Sequence, residues 1–208
     1  MFEYEEEYFE EKIDWRSVIG EKCPLCGEDR CWRELSPYWR TAIELFPFRG
    51  GKIPIGRFQC REQKRTFSLL PYQLAPYHLY TIESMILAVL VWCEVCEEDE
   101  SGASAAVSEL PGDCNVTPWL LRHWLGVVVV GLRGGHAVLC QWYDLSGIHS
   151  GDSLVEKLAE VLRYFRCFGS RGPPSRLGLR GILRRYSRHT GRHFLGIVSQ
   201  ERGRLSAR

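Results

Sequence analysis

Cysteines are the residues in this chain whose spacing first suggests chemistry. In Cys23-Pro24-Leu25-Cys26-Gly27, two residues separate two thiolates, and the glycine after them lets the chain fold under a metal. This is the knuckle that holds half of a tetrahedral zinc site. The stretch Arg57 to Phe67 has the shape of a second knuckle around Cys60, but Gln63 stands where its second thiolate belongs, and a neutral carbonyl is a poor zinc ligand.

The fourth ligand is left open by the spacing. Cys31, five residues after Cys26, is the nearest candidate, and His78 is a weaker one. Alternatively, the metal has been lost and Cys23, Cys26 and Cys60 survive as packed thiols. We predict a Zn²⁺ site on Cys23, Cys26 and Cys60, with Cys31 as the fourth ligand.

The other cysteines are assigned no metal. Cys93 and Cys96 are also separated by two residues, but a strong helical pattern places them one turn apart on a packed face. Cys114, Cys140 and Cys167 lack partners by spacing, so we predict core or surface thiols. The odd total of nine cysteines, and an acidic start that does not resemble a secretory signal, predict a reduced, cytoplasmic protein.

Charge is distributed unevenly along the 208 residues, although the formal net charge is only +1. Residues 1–17 form an acidic arm. Residues 163–208 contain twelve arginines, no lysine and a single acid, Glu201. Arginine is suited to forked contacts with phosphate, so the basic end predicts a nucleic-acid partner. A solvated terminus is the alternative.

Hydrophobic and turn patterns predict an α+β fold that is mostly α. The ribbon-like module spans residues 18–71, with strands at Arg30–Leu35, Arg57–Cys60 and Arg65–Leu69 and a turn at Arg49–Lys52. Residues 72–135 are predicted as a three-helix, helix-turn-helix domain. Residues 136–208 are predicted as a helical extension with an arginine-rich tail, including a strand at 137–143 and helices near 152–168 and 179–186.

Three helices are expected within residues 72–135. The first is capped by Thr81 and buries Ile82, Met85, Ile86, Val89, Leu90 and Cys93; a short one follows near 103–110. The third opens at Thr117-Pro118, turns Trp119, Leu120, Trp124, Leu125 and Val128 inward, and ends at Gly131 or Gly134.

A helix-turn-helix would present the start of the third helix to DNA. Its base-reading residues would be Asn115, Thr117, Arg122 and His123, because arginine pairs with guanine and asparagine with adenine in the major groove. An ordinary three-helix bundle with solvated polar residues is the alternative. Phosphate contacts are predicted for Arg180, Arg184, Arg185 and Arg188.

The same motifs carry a family resemblance. The knuckle at Cys23 and Cys26, Cys60, and the runs Arg65-Thr66-Phe67-Ser68-Leu69-Leu70-Pro71 and Leu74-Ala75-Pro76-Tyr77 resemble bacterial zinc-ribbon plus helix-turn-helix proteins associated with transposases and mobile elements. The resemblance covers roughly residues 20 to 130. It implies transposase-like recognition of double-stranded DNA without a nuclease, with Gln63 at the position of the family's last metal ligand.

Catalysis is not predicted. The chain has no phosphate loop. A metal-dependent nuclease would need several carboxylates grouped around its metal. The candidates after residue 110 are Asp113, Asp144 and Asp152 together with Glu156 and Glu160, and these two glutamates look like the solvent face of a helix. The expected function is DNA binding in a mobile element, with a transposase or another protein subunit as a further expected partner. The alternatives are an adaptor docked on a larger nucleic-acid machine and a divergent transposase or nuclease.

Overall fold

The computed structural model describes residues 19, 21–98, 102–169, 175–190 and 194–195, and the acidic arm predicted over residues 1–17 lies outside them. The described part is α+β, with one three-stranded antiparallel sheet and five helices. The elements are β1 Trp32–Leu45, β2 Phe48–Cys60, β3 Thr66–Leu69, α1 Ile82–Glu98, α2 Ala103–Ser108, α3 Pro118–Leu139, α4 Leu154–Phe168 and α5 Arg176–Thr190.

The chain divides into two compact units. The cysteine unit consists of residues 1–42 and 50–71, and the helical unit consists of residues 43–49 and 72–208. The strands are ordered β1-β2-β3, and β2 pairs with β3 in a register that sets Phe58 opposite Phe67.

The first hairpin turns at Phe46–Pro47, so the predicted turn at Arg49–Lys52 is wrong. Pro47 lacks a backbone N–H and suits a turn, whereas the two glycines at 50 and 51 are absorbed into β2. Strand β1 is accordingly longer than the predicted Arg30–Leu35. The segments predicted as strands at Arg57–Cys60 and Arg65–Leu69 do lie in β2 and β3.

Helices α1, α3 and α4 surround the core of the helical unit. Every residue predicted to be buried on α1, from Ile82 to Cys93, is buried, and the backbone N–H of Ser84 donates to the Thr81 hydroxyl at 3.2 Å. Helix α4 begins after a capping box between Ser153 and Glu156. This reciprocal cap satisfies backbone donors that the first turn leaves unpaired.

Helix α3 runs to Leu139 and therefore passes through both glycines that were predicted to end it. Gly134 is exposed, whereas Gly131 and Gly135 serve close packing. A Cβ on Gly131 would lie within van der Waals radii of the Leu195 side chain, and one on Gly135 would lie 3.1 Å from the Tyr186 ring. The strand predicted at 137–143 is also wrong, because these residues form the last turn of α3 and the turns after it.

Trp119 is 73% exposed, which contradicts its predicted inward orientation. The buried stripe of α3 is Leu121, Trp124, Leu125, Val128 and Leu132. At 100° per residue, positions 119 and 124 lie about 140° apart around the helix, so both cannot face one core. Thr117 caps the helix as predicted, its hydroxyl accepting from the N–H of Leu120 at 3.2 Å.

Two buried acid–arginine clusters hold the helical unit together. Glu160 has no exposed side-chain surface, so its assignment to a solvent face is wrong; its carboxylate accepts from Arg133 on α3 at 2.7 Å. Glu83 on α1 and Glu44 at the hairpin tip both pair with Arg180 of α5, at 2.6 and 3.0 Å. Burying a carboxylate is tolerated only when its charge is paired.

Replacement of Arg180 by alanine should destabilise the protein by about 3 kcal/mol, because it leaves Glu83 without this arginine partner while Arg49 still pairs with Glu44. Urea unfolding followed by circular dichroism measures the change. Arg184→Ala, on an exposed position of the same helix, is the matched control and should alter stability by less than about 0.5 kcal/mol. Equal losses in the two variants would show that the buried pair has no special role.

Candidate metal centre and basic groove

Four cysteines of the cysteine unit converge on one point. The sulfur atoms of Cys23, Cys26, Cys31 and Cys60 all lie within 4.8 Å of one another. The Sγ–Sγ distances are 3.0 Å for Cys26–Cys31, 3.5 Å for Cys31–Cys60 and 3.6 Å for Cys60–Cys26. Such a group could hold a metal ion such as zinc, and Cys31 rather than His78 completes it.

The first knuckle is built by local backbone hydrogen bonds. The N–H of Gly27 donates to the carbonyl of Cys23 at 2.9 Å, and the N–H of Cys23 donates to the carbonyl of Glu28 at 3.0 Å. Gly27 has φ +80°, a left-handed conformation that glycine adopts without the steric cost of a Cβ. The turn brings Cys23 and Cys26 to the same side, as the Cys-x-x-Cys-Gly pattern predicts.

The second knuckle has one thiolate and one amide. The N–H of Gln63 donates to the Cys60 sulfur at 3.3 Å, the type of contact that stabilises a metal-bound thiolate, and Lys64 takes a left-handed φ of +56°. The Gln63 side chain does not replace the missing ligand. It donates through Nε2 to the carbonyl of Leu25 at 3.0 Å and thereby ties the second knuckle to the first.

Cys31 reaches the cluster from the residue before β1. The N–H of Arg61 donates to the Cys31 carbonyl at 2.8 Å, which holds the start of β1 beside the end of β2. The ligand spacing is therefore Cys-x₂-Cys-x₄-Cys-x₂₈-Cys, with three ligands in the first loop. Spacing alone left the direction of the Cys31 side chain open, because five residues after Cys26 the chain could already have turned away.

Electrostatics within the cluster favour a thiolate at Cys23. Burial opposes this charge, but the backbone N–H groups of Cys26 and Leu25 and the thiols of Cys31 and Cys26 donate to the sulfur and lower the pKa of Cys23 to about 7. The pKa of Cys31 is raised, first by its hydrogen bond with Cys26 and then by burial. Four thiols this close cannot all ionise without a cation among them.

A second candidate site is a groove on the helical unit, and only its arginines were predicted. It has a volume of about 460 Å³ and is lined by Trp142, Gly181, Arg184, Arg185, Arg188 and His189. The Arg185 guanidinium lies 4.2 Å from the centre of the Trp142 ring, and His189 meets that ring edge-on at 5.5 Å. Within the described residues, none of the three arginines forms an ion pair with a carboxylate.

Of the remaining residues predicted to bind DNA, some are engaged in contacts within the protein and others are exposed. Arg180 is committed to Glu44 and Glu83, and Thr117 is committed to its helix cap. Asn115, Arg122 and His123 are exposed. The His123 ring stacks with the ring of Trp119, at 5.8 Å, and with the ring of His78, at 5.5 Å.

Comparisons with protein-family models, with curated proteins and with solved structures find no match to this chain. Among the described helices, none is both long and apolar enough to cross a membrane.

Proposed function

We propose that the protein binds double-stranded DNA through the arginine face of α5, and that Zn²⁺ staples its cysteine unit. The observation that carries the proposal is the groove in which Arg184, Arg185 and Arg188 converge without a carboxylate partner among the described residues. Unpaired guanidinium groups on one rigid helix form a positive surface that attracts phosphate.

The arginines of α5 are divided between two roles by the geometry of the helix. Arg180 points inward and is 19% exposed, whereas Arg184, Arg185 and Arg188 are exposed. Guanidinium groups bind phosphate oxygens through two parallel N–H donors, so a rigid row of them fixes the position of a duplex backbone. The Trp142 ring holds the Arg185 guanidinium in place by a cation–π contact.

Zinc is the metal we assign to the four-cysteine cluster. Tetrahedral zinc–thiolate geometry, with Zn–S near 2.3 Å, requires sulfur atoms about 3.8 Å apart. The separations of 3.0, 3.5 and 3.6 Å among Cys26, Cys31 and Cys60 are shorter than this, so these sulfur atoms would move apart to admit the ion. Bound zinc would supply four metal–sulfur bonds that crosslink the two knuckles. Four protein ligands leave no open position for substrate, so the role is structural.

The N-terminal end of α3 is a second surface for the same function. Arg122 and His123 are exposed there, as the helix-turn-helix hypothesis requires. However, nine residues, 109–117, separate α2 from α3, whereas a helix-turn-helix uses a turn of three or four. We therefore assign the principal DNA contacts to α5. The resemblance to transposase-associated proteins supports a role in a mobile element.

An adaptor function is the second candidate, and one observation favours it. Tyr77, Leu79 and Trp119 of the helical unit are all largely exposed, and Tyr77 has φ +65°, which is unusual for a bulky side chain. Large exposed apolar side chains mark protein-docking surfaces when they are contiguous. A folded protein that fails to bind duplex DNA at low salt would favour this adaptor function over the first.

The double variant Arg184→Ala/Arg188→Ala should weaken binding to duplexes of any sequence. Loss of two phosphate contacts should also reduce the slope of log affinity against log salt concentration by about 2. Fluorescence anisotropy with a random-sequence duplex, repeated over a salt series, measures both. Arg30→Ala removes a positive charge that is paired with Glu21 in the cysteine unit, and this control should leave the slope unchanged. An unaltered slope in the double variant would exclude the groove as the phosphate site.

Replacement of Cys31 by serine should lower zinc affinity more than about 100-fold, beyond the 10–100-fold typical of disturbing a ligand's hydrogen-bond partner. Gln63→Ala, which removes only the bond to Leu25, should fall within that smaller range. Chelator competition measures affinity, and elemental analysis measures stoichiometry. Cys167→Ser is the control, because this exposed thiol lies outside the cluster. Iron in place of zinc, or full affinity in Cys31→Ser, would contradict the assignment.

A further inference from the structure

A third group of reactive side chains lies at the end of α3, apart from the basic groove. The Cys140 sulfur is 3.3 Å from Nε2 of His136, one helical turn earlier. Nδ1 of the same imidazole is 2.6 Å from the hydroxyl oxygen of Tyr164 on α4. A nucleophile, a base in hydrogen-bond reach of it and a third group that orients the base are the elements of an activated thiol.

The Cys140 thiol is accessible to a small reagent, and the tyrosine that orients its histidine is held in the core. Cys140 is exposed and lines an open cavity of about 360 Å³ together with His136, Tyr143, Asp144, Ser146 and Ile148. Tyr164 is buried, and its ring meets that of His136 edge-on. Burial and the neighbouring Glu160 carboxylate raise the pKa of Tyr164 to about 12, so its hydroxyl remains un-ionised near neutral pH.

From this geometry we infer that Cys140 is a site of mixed-disulfide formation with small, neutral or cationic disulfides. As the Cys140 sulfur attacks one sulfur of the disulfide, its proton passes to Nε2 of His136. The new S–S bond forms while the old one breaks, and the departing thiolate takes the proton back from the imidazolium. The products are the mixed disulfide on Cys140 and one free thiol.

The end of α3 and the Tyr164 hydroxyl orient His136 for this step, and the charge of the cavity selects the disulfide. His136 lies in the last turn of α3, where the helix carbonyl ends favour a cation, and Nδ1–H can donate to the Tyr164 oxygen. Glu160 is neutralised by Arg133, which leaves Asp144 as the carboxylate lining the cavity. Hydrogen bonds from Ser146 lower the pKa of Asp144, so it is ionised and repels anionic disulfides.

Disulfide exchange fits the site better than acyl transfer does. Exchange requires a thiol, a proton acceptor and room in line with the S–S bond, all of which the cavity provides. Acyl transfer would additionally require hydrogen-bond donors aimed at a developing oxyanion. Of the donors in the cavity lining, the backbone N–H groups of Tyr143 and Ile148 donate to the carbonyls of Leu139 and Leu145, and Ser146 donates to Asp144.

The test uses the full-length, metal-loaded protein with cystamine as the disulfide and mass spectrometry to follow each cysteine. Cys167, an exposed thiol on α4 without a described histidine partner, is the internal control. Cys140 should react about tenfold faster than Cys167, since a hydrogen bond to a charged group is worth about one order of magnitude. His136→Asn should reduce Cys140 to the rate of Cys167 while leaving Cys167 unchanged. Equal rates in the unaltered protein would overturn the proposal.

Two further variants separate the roles of the neighbours. Tyr164→Phe removes only the hydroxyl, so it should slow Cys140 by less than His136→Asn does while the fold is kept. Asp144→Asn should reduce the preference of Cys140 for cystamine over the anionic 3,3′-dithiodipropionate. If neither variant changes the rate or the preference, the contacts are structural and the site is not activated.

Discussion

The pairing of Arg180 with two buried carboxylates is the interaction on which the helical unit most depends. Helix α5 is rich in arginine and has no acid within its described residues, so its apolar stripe of Leu179, Ile182, Leu183 and Tyr186 must overcome strong mutual repulsion to pack. Glu83 and Glu44 remove one of these charges and tie α5 to α1 and to the hairpin tip. Because the apolar stripe and Arg180 at its edge hold the helix in place, the face turned away from the stripe can keep Arg184, Arg185 and Arg188 exposed.

The cysteine unit differs from the helical unit in having little apolar core to stabilise it. Its apolar core is small, and its buried side chains include Ile53, Ile55, Phe58 and three of the four cluster cysteines, with Cys26 only partly buried. Trp32 and Phe67 pack against Phe58 at ring-centre distances of 5.5 Å. A unit of this size gains stability from a crosslink more readily than from further burial, and a metal held by four sulfurs is such a crosslink.

Sequence patterns predicted the parts of the structure that depend on local physics. The caps at Thr81 and Thr117, the α1 stripe and the Cys23–Cys26 turn follow from hydrogen bonding and periodicity within a few residues. The predictions were wrong where a contact with a residue far along the chain determines the length of a helix or the burial of a side chain. Gly131 continues its helix because Leu195 packs on it, and Glu160 is buried because Arg133, from another helix, meets it. The His136–Tyr164 contact likewise joins residues 28 positions apart, so no local motif marks it.

Net charge was the least informative property of this sequence, and the structure shows the reason. Glu44, Glu83 and Glu160 neutralise Arg49, Arg180 and Arg133 within the helical unit, so these charges cancel in the total and also contribute little to the surface potential. The groove arginines have no such acids beside them among the described residues. A chain with a formal charge of +1 can therefore present a strongly positive face, because attraction of phosphate depends on charges within about 10 Å rather than on the sum over the molecule.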